Sequence, residues 1–188
     1  HIMVYVFLAD GFEEIEALTP IDILRRAGVS VTSVGVTGKT VTGSHGISVE
    51  ADITESEAAD ALSRADIEAV VLPGGMPGAD NLNASSVVEK YISAAKDCGA
   101  FIAAICAAPY ILGIRGMLRG KMATCFPGFE DRLEGAQYYD CDVIRDGEII
   151  TGRAMGAATE FSLELVDAIK GESAAKEMRE KILAGRRL

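Results

Sequence analysis

Residues 69–72 and residues 101–105 of this sequence are apolar at every position. A strand with one wet face alternates apolar and polar side chains, whereas a strand that is apolar throughout needs cover on both faces. Such strands belong to a mainly parallel sheet whose crossover helices lie above and below it. The rest of the chain agrees, because apolar runs alternate with helical patterns in the manner of successive βαβ units. Residues 3–8 form a first apolar run, broken by Asp10-Gly11. Residues 13–27 read as a helix with acidic residues in its first turn, Arg25-Arg26 in its last and Gly28 as its stop. Pro20 lies inside it and is expected to kink it. Residues 29–36 read as a second strand, and residues 37–51, rich in Gly, Thr and Ser, as a small β excursion. Helices are expected over 55–62 and 85–96, from about residue 107, and over 157–169 and 174–183. A short strand is expected over 121–124, and a hairpin over 143–150 turns at Asp146-Gly147.

The chain has 188 residues, which favours one domain, expected over 3–188. His1-Ile2 precede Met3 and read as a remnant of an expression tag. Acidic residues number 28 against 18 basic, for a net charge of −10, which disfavours nucleic acid and anionic lipid as partners. The one dense basic run, Arg186-Arg187, is too short to change this. The longest apolar stretch, residues 100–114, is shorter than the ~20 residues of a membrane span and is interrupted by Pro109. Four cysteines stand at Cys98, Cys106, Cys125 and Cys141, with no C-x-x-C spacing. No secretory leader pattern precedes Met3 and no disulfide is needed at this length, so a reducing cytoplasm is expected. Apart from His1 the only histidine is His45, which excludes histidine-rich metal sites and the H-E-x-x-H motif; no metal and no cofactor are expected.

No G-x-G-x-x-G occurs. Gly38-Lys39-Thr40 resembles the end of a phosphate-binding loop but lacks the glycine five residues earlier, where Ser33 stands, so nucleotide binding is rejected. Pro73-Gly74-Gly75 follows a buried strand. In open α/β sheets ligands bind beyond such strand ends, and paired glycines leave backbone N–H groups free to face an anion; an ordinary strand-exit turn fits the same residues. Cys106 is the sharpest feature. It stands between an apolar strand and an expected helix, with small Ala107-Ala108 after it, in the form of a nucleophile elbow. A helix N-terminus there would lower the thiol pKa, and Cys106 is expected to be the one acidic thiol of the four. Glu13, Glu14 and Glu16 open the first helix. Glu16 shares a stripe with Thr19, Pro20 and Ile23, where a desolvated carboxyl would stay protonated and serve as acid, base or donor to a thiolate. Periodicity does not separate it from its neighbours.

With these residues assembled, the chain resembles the ThiJ/PfpI family, in the deglycase- and glyoxalase-like branch that contains the human parkinsonism-associated protein. The resemblance runs over nearly the whole chain. It rests on residues 8–16, on Ile21-Asp22 and residues 25–28, on residues 71–75, on residues 103–109 around Ile105-Cys106-Ala107, and on Thr151-Gly152-Arg153. It implies a flavodoxin-like three-layer α/β sandwich and a homodimer. It assigns the reactive cysteine to Cys106, the protonated glutamate to Glu16, and an oxyanion pocket to backbone amides of the Gly74-Gly75 pair and of Ala107. One departure concerns Phe126, which stands where the human member has a histidine. His45 aligns with a basic residue that the family places near the dimer interface.

The function that follows is a cofactor-free glyoxalase or deglycase acting on small 2-oxoaldehydes such as methylglyoxal. The alternative is an oxidative-stress sensor or chaperone whose cysteine is oxidised to sulfinate without turnover. Cysteine peptidase or glutamine-amidotransferase chemistry needs a histidine base, and only His45 is available.

Overall fold

The computed structural model describes residues 1–185, so the Arg186-Arg187 tip lies outside the described residues. The first half of the chain runs β1 (Ile2–Leu8), α1 (Glu14–Arg26), β2 (Val31–Gly35), β3 (Thr40–Thr42), β4 (Ser48–Glu50), β5 (Ile53–Thr54), α2 (Glu55–Ala61), β6 (Asp66–Leu72), α3 (Gly78–Ala84) and α4 (Ser86–Cys98). Then follow β7 (Phe101–Ile105), α5 (Pro109–Gly113), β8 (Met122–Ala123), β9 (Gln137–Tyr138), β10 (Val143–Asp146), β11 (Ile149–Gly152), α6 (Ala158–Lys170) and α7 (Glu172–Lys181).

Seven strands form one sheet in the order β10-β11-β7-β6-β1-β2-β5. All pairings are parallel except β10 with β11, the expected hairpin. The apolar runs explain why this sheet is covered on both sides. On β7, Ile102 and Ala104 join one buried cluster while Ala103 and Ile105 join the other. Tyr5 and Phe7 of β1 likewise part from Val4, Val6 and Leu8. The two-residue period thus divides one strand between two cores. Helix α4 covers the first face with Val88, Tyr91 and Ile92, and α1 and α6 cover the second with Leu24, Phe161 and Leu165. The result is a flavodoxin-like α/β sandwich. No helix among the described residues is long and apolar enough to cross a membrane.

Local signals account for the helix ends. Helix α1 starts where the Glu13 carboxylate accepts from the Glu16 N–H at 2.7 Å, and it runs unbroken through Pro20. Helix α4 begins at the Ser85 cap and ends at Gly99, whose φ of 72° is left-handed. Three features depart from expectation. The second strand begins only at Val31. Helix α3 lies in a Gly- and Asn-rich segment, where burial of Ala79 and Leu82 and a 2.8 Å bond from the Asn81 amide to the Asp10 carbonyl hold it. Helix α5 starts three residues after Cys106 and has five residues. Gly113 closes it against the Arg132 carbonyl, where an added Cβ would stand 2.3 Å away.

Candidate active site

The carboxyl ends of β1, β6 and β7 bring together Phe12-Glu13, Gly74-Gly75 and Cys106, at the edge where α/β sheets place their ligands. Cys106 has φ +66°, one of two non-glycine residues with positive φ among the described residues. That conformation costs about 1–3 kcal/mol and persists only where the surroundings impose it. Here they do: the Cys106 N–H donates to the Gly152 carbonyl at 2.9 Å, and its carbonyl accepts from the Phe126 N–H at 2.8 Å. The strained turn lifts a half-buried thiol off the end of a buried strand.

Glu16 reaches the same point from the first turn of α1. Its side chain is fully buried; Oε1 accepts from the Gly74 N–H at 3.1 Å, and Oε2 has no partner. An unpaired buried carboxyl oxygen is costly unless it carries a proton or meets a ligand. Gly74 shows how closely the two side chains converge. A Cβ there would stand 2.6 Å from Glu16 Oε1 and 2.7 Å from the Cys106 Cβ, so only glycine lets them share the space. Gly75, at φ +90°, is pressed as tightly against the Glu13 backbone.

Burial raises the Glu16 carboxyl to about 7, and the Glu13 charge adds to the rise, while Cys106 and the Gly74 amide oppose it. Burial also pushes the Cys106 thiol well up, and the Glu16 carboxylate beside it pushes further; the Ala107 and Gly75 amides act the other way and favour the thiolate. The expected acidification by a helix dipole is therefore not found. Five residues of α5, beginning beyond Ala108, supply little dipole, and burial, followed by the neighbouring carboxyl, dominates. Cys125, buried, is pushed up to about 12, and Cys141 is raised as well.

The model of the DJ-1/PfpI family matches residues 3–168. The chain belongs to the DJ-1/PfpI family. It is 35% identical over 182 residues to the Parkinson disease protein 7 homolog of Danio rerio, covering 95% of each chain. It is 33% identical over 167 residues to a protein of Pyrococcus horikoshii named a deglycase, covering 86% of this chain and 96% of that one. Among solved structures it matches Toxoplasma gondii DJ-1 in an oxidized form, with a TM-score of 0.91 at 32% identity, covering 99% of this chain and all of that one.

The remaining residues singled out in the sequence take distinct places in this DJ-1/PfpI protein. Glu13 caps α1. Glu14, which the sequence did not separate from surface charge, is buried and ties down the β3–β4 hairpin. Its carboxylate accepts from the His45 N–H at 2.9 Å and the Ile47 N–H at 3.2 Å, bonds that hold its pKa below the usual range against the effect of burial. Gly43 makes room for it, since a Cβ there would stand 2.4 Å from the Glu14 Cδ. The His45 ring is exposed, with Nδ1 3.3 Å from Glu14 Oε1. Donor atoms of Glu13, Glu14 and His45 lie within 4.8 Å of one another, but backbone N–H groups already engage both carboxylates. Phe126 meets Cys106 through its backbone, and its side chain is 44% exposed.

Proposed function

We propose that this protein is a cofactor-free, cysteine-dependent enzyme of the glyoxalase or deglycase type, acting on small 2-oxoaldehydes such as methylglyoxal. The observation that carries this reading is the unpartnered Oε2 of Glu16, buried beside a thiol on a strained turn. A carboxyl raised to about 7 is matched to moving protons near neutral pH. The thiol proton passes to the Glu16 carboxylate as sulfur bonds to the aldehyde carbon. The carbonyl oxygen becomes an alkoxide facing the Gly75 and Ala107 amides, then takes the proton from Glu16, which completes the hemithioacetal. Glu16, ionised again, removes the hydrogen from that carbon as a proton and returns it to the adjacent carbonyl carbon, while the hydroxyl proton passes from the first oxygen to the oxygen on that second carbon. The result is a thioester, which water hydrolyses to the 2-hydroxy acid and the free thiol. A deglycase reaches the same hemithioacetal from an adduct on an amine or thiol: the carbon's bond to that group breaks as the Cys106 sulfur bonds to it, and the group leaves with the proton that the thiol gave up.

The raised thiol pKa fits this order of events, because the thiolate appears only as Glu16 accepts its proton. Turnover of methylglyoxal to lactate, measured with purified protein, is the test. Activity lost in Cys106→Ser and in Glu16→Leu supports the reading. Equal turnover in Cys106→Ser, or none in the wild type, defeats it. A second reading, oxidation of Cys106 without turnover, draws on the same Oε2, which when protonated can donate to a sulfinate oxygen. Mild peroxide followed by peptide mapping tests it. Two oxygens on Cys106 are expected, and a disulfide to Cys125 or Cys141 counts against it.

A further inference from the structure

At the other end of the sheet from Cys106 lies a cavity of about 200 Å³, lined mainly by apolar groups. Strand β7 separates the two, and its five residues at ~3.3 Å each span roughly 16 Å. The floor is a cross-strand pair, Ile102 of β7 beside Ile149 of β11, both buried. Ala100 and Met117 form the walls. Lys96, in the last turn of α4, and Lys121, before β8, also line the cavity, with Glu148 as the one carboxylate.

With an excess of ten negative charges, most of the protein's arginines are engaged in ion pairs. Lys96 and Lys121 make no ion pair or side-chain hydrogen bond among the described residues, yet both stand at one apolar hollow. The Lys121 ammonium lies over the β10–β11 turn, 3.5 Å from where a Cβ on Gly147 would be. A floor of two isoleucines in a hollow that two lysines also line is complementary to an amphipathic anion. The size sets its bulk, since ~150 Å³ is enough for a benzene ring. Glu148 sets its charge, because a second negative group on the ligand would meet that carboxylate.

We propose that this cavity binds a small monocarboxylate with a ring or a compact branched apolar body. The body lies on the Ile102–Ile149 floor and the carboxylate is held by Lys96 and Lys121. The test is titration of the full chain with benzoate, followed by amide and methyl NMR. Saturable shifts at Ala100, Ile102, Met117 and Ile149 are expected, with benzylamine at least tenfold weaker. Replacing Lys96→Met and Lys121→Met together should weaken benzoate by about tenfold or more, as expected for loss of charge-assisted hydrogen bonds. Retained amide dispersion and an unchanged rate of Cys106 alkylation show that this variant is folded. Absence of shifts at the four positions, shifts confined to the Cys106 site, equal binding of benzylamine, or unweakened binding to the double variant would each overturn the proposal.

Discussion

Glu16 is a carboxyl whose environment opposes its own charge. Its pKa of about 7 in the folded chain, against 4.5 as the ordinary value, has a definite consequence for stability. Below 4.5 the group is neutral in both states. As the pH rises from 4.5 to 7 the unfolded chain ionises Glu16 while the folded chain resists, so stability is lost across that window and levels off above it. The shift corresponds to roughly 3 kcal/mol. Urea unfolding of wild type and Glu16→Gln across this range should show the wild-type advantage falling by about that amount, whereas a constant gap would mean an ordinary carboxyl. Position 16 should also set the reactivity of Cys106. Gln can donate to a thiolate and Leu cannot, and a hydrogen bond to a charged group is worth ~1.5–3 kcal/mol. Iodoacetamide alkylation of Cys106 is therefore expected to be at least tenfold slower in Glu16→Leu than in Glu16→Gln. Glu14→Gln should stay close to wild type, because that carboxylate faces the hairpin. Equal rates in all three variants would remove Glu16 from the mechanism.

At the scale of elements, the site depends on how short segments are pinned. The β3–β4 hairpin is a two-stranded sheet of its own, too small to be stable in isolation. Buried Glu14 joins it to α1 through the His45 and Ile47 amides, and the Asp10 carboxylate accepts from the Thr42 N–H at 3.0 Å. Glu14→Ala removes the acceptor of both amides and leaves a void against Gly43. Hydrogen exchange at His45 and Ile47 is expected to quicken by at least tenfold, with amides of β6 and β7 unaffected. Uniform acceleration through the sheet would show instead that Glu14 supports the whole fold.

At the scale of the whole molecule, the homodimer implied by the family resemblance becomes a proposal with a surface attached. Ile15 of α1 is 47% exposed and Ile47 of the hairpin 53% exposed. The Glu14 bond to the Ile47 amide joins the segments that carry these two residues. Light scattering at micromolar concentration should give twice the mass of one chain, falling to a single mass in Ile15→Arg with Ile47→Arg. A monomeric wild type would overturn the dimer.

The order of strands and helices was legible in the sequence wherever a single segment carries its own signal. Residues 101–105 coincide with β7, and Asp146-Gly147 marks the turn of the β10–β11 hairpin, because apolar runs and turn residues act locally. The elbow at Cys106 was legible too, from the small residues between a strand and a helix. Helix α3 was not, since its Gly and Asn composition favours a loop and only contacts with Asp10 and the core stabilise it. The separation of Glu13, Glu14 and Glu16 was equally hidden. Three carboxylates within four residues look alike along one helix, and they differ only in what faces them: the start of α1, a hairpin more than thirty residues away, and Gly74. The thiol pKa depends on that same packing. Sequence position alone points to a helix dipole, whereas the folded chain sets a buried carboxyl against the sulfur, and at that range charge and desolvation outweigh five residues of helix.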